Sequence, residues 1–226
     1  IPPGCMAETA PPSLFRAELG ATLRLAAPLA LANLLQMAIY ATDVVFIARL
    51  GENPLAAASL ATALFGQMVW TFSGLTGAVA PLVAAELGRR RHAVREVRRS
   101  VRMALWLAMA CAIFGLLVCQ AGEAIMLRTG QQPEVAAAAG QFLAVLGWSM
   151  FPQVVSNVLR IFVSAMGRPV FATAIMAMAI TVNALGNYAL IYGEFGMPAM
   201  GLNGSALATL ITSAATMLAY SSRPPD

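Results

Sequence analysis

The chain has 226 residues, of which 59% are hydrophobic and only 11% charged, with a mean hydropathy of +0.74. Such a composition lies far outside the range of water-soluble domains and excludes a large cytosolic enzyme, since at about 20 apolar residues per bilayer crossing the length allows roughly six spans and little else. The formal charge of +4 sets arginine against acid, because the chain holds no lysine.

Ile1 to Cys5 reads as upstream sequence before a natural start at Met6, and the stretch that follows carries Glu8 and two prolines before any apolar run, unlike a cleaved signal peptide. Six apolar runs come next, divided by breaks rich in Arg, Gly, Pro or acid: Leu25 to Ala48, Leu55 to Ala84, Val101 to Gln120, Val135 to Phe162, Val170 to Tyr192 and Gly201 to Tyr220. Each is long enough to cross as a helix, and the second and fourth are overlong and must tilt or project. The prediction is an all-α polytopic membrane protein, with residues 1–24 as an N-terminal cytoplasmic tail, 25–220 as a six-helix transmembrane lobe and 221–226 as a cytoplasmic end. Pro28, Pro81 and Pro152 are places where helices kink or hinge. Trp70, Trp106 and Trp148 suit interface anchors or packing. Cys111 and Cys119, eight residues apart on one run, lie about 12 Å from each other along a helix and cannot bridge.

The arginines orient the lobe. All but Arg49 and Arg128 fall at the N-terminus, in the second or fourth connection or at the C-terminal end, so both termini are expected in the cytoplasm. The run from Arg89 to Arg102 is read as a topology determinant resting on anionic lipid, not as a nucleic-acid site. It also contains His92, the only histidine. With no histidine in any span, neither a Ser-His hydrolase nor a histidine-ligated metal enzyme is supported, so no enzyme, catalytic residue, metal site or organic cofactor is expected.

Ionisable groups in hydrocarbon are costly and are the default functional candidates. Asp43 alone among the ten acids lies within an apolar run, near the extracellular third of the first span. On a helix, Asn33, Gln36, Tyr40 and Asp43 fall within an arc of about 80°, one polar stripe that must face protein or a wet cavity. Asn183 and Asn187 share a face of the fifth span, Ser205, Thr209, Thr212 and Thr216 a face of the sixth, and Ser59, Thr62, Gly66, Ser73 and Gly77 a small-residue face of the second. Arg160 is placed at the flank of the fourth span and the spans are read as free of basic residues. Asp43 then cannot be a structural ion pair and must find a proton, a metal cation or a cationic ligand.

The motifs resemble a family. Pro28-Leu29-Ala30 with Asn33 and Gln36, Ala41-Thr42-Asp43 and Ala48-Arg49-Leu50-Gly51 are similar to the first helix of the multidrug and toxic compound extrusion (MATE) transporters, bacterial multidrug branch. Leu55 to Ser59, Ala80-Pro81-Leu82, Val182-Asn183, Asn187 to Gly193 and Gly204 to Thr209 continue the likeness into the second, fifth and sixth helices. The resemblance implies a bacterial inner-membrane antiporter that expels small cationic or amphipathic drugs in exchange for H⁺ or Na⁺. It implies that Asp43, Asn183 and Asn187 bind the ion, that Asn33, Gln36, Tyr40 and Thr209 line the substrate cavity, and that Pro28 is the hinge of the first helix. The family pattern has twelve helices in two lobes, and the chain holds the first. It is expected to be a fragment or truncated member without transport of its own, or a half-transporter, whose partner is the missing C-lobe or a second copy. A lipid-linked saccharide flippase of the wider superfamily is disfavoured, because such a cavity would carry basic residues.

Overall fold

Backbone amides in hydrocarbon find partners only within helices or closed barrels, and long apolar runs without strand alternation take the first solution. The computed structural model describes residues 12–78, 94–165 and 169–222, and among them all regular structure is helical. The helices are α1 (Pro12–Ala48), α2 (Glu52–Gly77), α3 (Val94–Gln120), α4 (Gly122–Arg128), α5 (Pro133–Leu146), α6 (Met150–Ala165), α7 (Pro169–Tyr192) and α8 (Leu202–Ser221). Among the described residues, six stretches are long and apolar enough to cross a membrane, with α5 and α6 together making the fourth, so this is an integral membrane protein.

The expected spans are all present, with three differences. First, α1 starts at Pro12, well ahead of Leu25, where proline's fixed φ suits an opening turn. Its 37 residues extend about 55 Å, more than the hydrocarbon thickness, so part of the expected tail is helix. Second, the fourth span is broken by a 3₁₀ turn at Gly147–Ser149, three residues ahead of Pro152 in the first turn of α6, whose missing N–H and ring deny Trp148 the regular helical bond. Third, the short α4 between the third and fourth spans escapes a hydropathy reading because of its length. It lies close on α5 at Gly140, where an added Cβ would sit 2.6 Å from Cβ of Glu123. The expected end of the second span beyond Ala78, with Pro81 in it, lies outside the described residues.

Two apolar cores organise the lobe. The larger joins α2, α3, α5 and α6 through Phe65, Phe72, Ala108, Cys119, Phe142, Leu143, Leu146, Met150 and Val154. The smaller joins α1, α6 and α7, with Tyr220 of α8, around Ala32, Ile39, Val163, Ala172 and Met176. Small residues let α7 and α8 cross closely. At Gly204 any Cβ would overlap the Leu190 carbonyl, and Gly186 faces Ala208. The 193–201 connection is closed by left-handed Gly193 (φ 77°) and by the Met200 amide donating to the Leu190 carbonyl at 2.9 Å.

Candidate functional site: a polar cavity around Asp43

Asp43 enters the lobe from α1 and is only 8% exposed. A carboxylate buried so far must be hydrogen-bonded, and the partners come from α7 and α8. Asn183 Nδ2 donates to its Oδ1 at 3.0 Å and Asn187 Nδ2 to the same oxygen at 2.6 Å, while Thr209 Oγ1 stands 3.5 Å from Oδ2. Asn187 also donates to Asn183 Oδ1 at 3.2 Å, and its own Oδ1 has no partner. The i, i+4 spacing of the asparagines places both amides on the turn of α7 that meets α1. Two donors converge on Oδ1 and one distant hydroxyl reaches Oδ2, so the carboxylate is asymmetric and Oδ2 is the oxygen with capacity left. Among the described residues, none of the hydrogen bonds to Asp43 comes from a cationic side chain.

Helix α1 is held to α7 at two places. Tyr192 Oη donates to the Phe46 carbonyl at 3.1 Å, one turn beyond Asp43, and the two rings pack with centroids 6.0 Å apart. Further down, Thr173 Oγ1 donates to the Pro28 carbonyl at 2.7 Å. The expected hinge residue is thus in the interior of a helix and pinned to its neighbour at its own carbonyl.

Two cavities flank this arrangement. One of about 240 Å³ lies among α1, α2, α6, α7 and α8, and its lining includes Asn33, Gln36, Tyr40 and Thr209 together with Asn183. Thr212 and Thr216 line it too, whereas Ser205 does not. Their hydroxyl hydrogens are tied to carbonyls one turn back, which leaves the oxygen lone pairs for the cavity. The other, about 440 Å³, opens between α1 and α2. Asp43 lines this one, opposite Ser59, Thr62 and Gly66 of the small-residue face, and Tyr40 and Trp70 stand between the two spaces as walls of both. Gly77, expected on the same face, lines neither.

The sequence reading missed one wall. Gln153, Ser156, Asn157 and Arg160, at i, i+3, i+4 and i+7 of α6, all face the first cavity. The expectation that no span carries a basic residue is corrected here. Arg160 lies inside the fourth span, donating to Asn33 Oδ1 at 3.1 Å and to Asn157 Oδ1 at 2.8 Å. Its long stem lets a residue near the helix end turn its guanidinium inward to amide oxygens. The helical spacing of the four polar residues was the available signal. With Arg160 in the wall, the ground on which a flippase was set aside no longer holds in full.

The fold and cavity define a six-helix membrane lobe built around a buried carboxylate. The MatE family model matches residues 28–189, and the chain belongs to that family. It is 45% identical over 204 residues to a probable multidrug resistance protein NorM of Mesorhizobium japonicum, covering 90% of this chain and 44% of that protein. It is 42% identical over 201 residues to the protein of the same description from Brucella suis. The chain spans less than half the length of the curated relatives it matches. Among solved structures, an outward-facing multidrug resistance MATE family transporter superposes with a TM-score of 0.79 at 21% identity, over 89% of this chain and 44% of that one. An inward-facing one gives 0.74 at 21% identity over 82% and 41%. These structures establish the fold.

Proposed function

We propose that the chain is the ion-coupling lobe of a secondary active efflux antiporter that expels small cationic or amphipathic drugs in exchange for H⁺ or Na⁺. It acts in the bacterial inner membrane, with both termini cytoplasmic, as transport and not as an enzyme. The observation that carries this reading is Asp43, a buried carboxylate held by two amides and a hydroxyl and, among the described residues, by no cationic side chain. Such a group must exchange one positive guest for another, a proton or metal ion against a drug. The names of the relatives point to drugs as cargo. Asn183, Asn187 and Thr209 position the carboxylate, and Asn33, Gln36 and Tyr40 line the way to it. The function needs no cofactor beyond the coupling ion.

Exchange of one proton for one monovalent drug moves no net charge, so a pH step of one unit supplies about 1.4 kcal/mol, a tenfold concentration ratio. Alternating access needs a second lobe, supplied by a further segment or by a second copy. The test is dye efflux in inverted membrane vesicles driven by a pH or a Na⁺ gradient applied separately. Asp43→Asn abolishes efflux under whichever gradient drives the wild type, with normal membrane insertion; gradient-driven efflux surviving in that variant overturns the assignment.

A further inference from the structure

The face of α6 that the sequence reading missed carries donors that its own neighbours do not use. Ser156 is 7% exposed and Asn157 9%, and both line the cavity, yet Ser156 Oγ and Asn157 Nδ2 have no hydrogen-bond partner. Buried polar groups in native proteins are nearly always paired, so two unpaired ones side by side mark a place where something else binds. Arg160 stands one turn further along the same face. Its guanidinium has five N–H donors, of which the described bonds to Asn33 and Asn157 use two. Those bonds aim the group into the cavity. An arginine fork, an amide NH₂ and a hydroxyl on one wall form a donor set matched in geometry and charge to a carboxylate.

We propose that this wall is an anion-accepting pole of the transport cavity, and that the lobe takes zwitterionic amphiphiles with the carboxylate on Arg160, Asn157 and Ser156 and the cationic end toward Asp43. The proposal rests on the transport reading above and adds a substrate class to it. The two poles are far apart. Asn33, the residue that touches Arg160, and Asp43 are ten residues apart on α1, about 15 Å of helix rise. The cavity that begins at Arg160 reaches Asn183 and Thr209, both bonded to Asp43. An elongate ligand with charges at opposite ends matches that span, and Gln153, whose Oε1 is also buried and unpaired, accepts a hydrogen bond from its middle.

The experiment uses the purified chain in lipid nanodiscs and one amphiphilic carboxyphenyl xanthylium dye in two forms, the zwitterionic free acid and its methyl ester, a pure cation. Affinities are read by fluorescence polarisation for the wild type, Arg160→Gln, Arg160→Lys and Asn157→Leu. Because the ester reports on fold and on the Asp43 pole in each variant, the readout is the ratio of acid to ester affinity. Arg160→Gln lowers that ratio about tenfold, as loss of a charge-assisted fork does, Asn157→Leu lowers it less, and Arg160→Lys restores part of it. A ratio unchanged in Arg160→Gln overturns the anion pole while leaving the cation site standing. Failure of the wild type to bind either form removes the transport reading and the pole with it.

Discussion

The two halves of the lobe use burial in opposite ways. Around α2, α3, α5 and the inner face of α6, the buried side chains are mainly Ala, Phe, Val, Leu, Met and Cys, with few polar groups among them. Where α1, α7 and α8 meet, the buried residues include Asp43, Asn183, Asn187, Thr209, Thr212, Ser213 and Thr216. Apolar packing in lipid gains dispersion energy from close fit, so the first half acts as a rigid frame. The second half combines the smaller apolar core with directional hydrogen bonds and the close approaches at Gly204 and Gly186. Helix α6 belongs to both, with Val154 and Val158 turned to the frame and Arg160 and Asn157 to the cavity.

That contrast can be broken experimentally, most severely at the α7–α8 crossing. Gly204→Val places a side chain on the Leu190 carbonyl, and no properly folded lobe should be recovered from detergent extracts by size-exclusion chromatography. Leu143→Ala, at a fully buried frame position, should cost about 2–5 kcal/mol and lower the melting temperature in detergent, with ligand affinity unchanged well below the transition. Loss of affinity at low temperature would mean that the frame is not independent of the cavity. Asn187→Ala sharpens the comparison from the other side. By removing a donor that stabilises the ionised carboxylate it should strengthen proton binding at Asp43 by about 1–3 kcal/mol, read as a displacement of the pH dependence of ligand affinity toward higher pH. The smallest effect is expected at Thr173→Val, which removes one hydrogen bond between α7 and α1, worth about 1 kcal/mol by thermal melting.

Hydropathy made the six spans legible because each is a long apolar run, and the break at Gly147–Ser149 lies just before Pro152, a proline visible in the sequence. Helix α4 was not legible, since seven residues between two spans carry no periodic signal. At the site, Asp43 stood out as the one acid in an apolar run, and the asparagine pair by its spacing. What sequence could not supply was the pairing itself. That Asn183 and Asn187 reach Asp43 across about 140 residues is a product of how α7 packs on α1. Arg160 was misplaced for a different reason: its position near a helix end suggested the headgroups, and only the tertiary structure shows that an amide on α1 draws it inward.

The amide of Asn187 has one further consequence. An asparagine is ordinarily ambidextrous, able to meet a donor or an acceptor by turning its group over. Here both hydrogens are committed, one to the Asp43 carboxylate and one to the Asn183 oxygen, and turning over would set oxygen against oxygen twice. The side chain is therefore locked in one sense and can present nothing but lone pairs to a newcomer. It works as a rectifier: its free face holds only lone pairs, a surface complementary to a proton or a cation and repulsive to an anion.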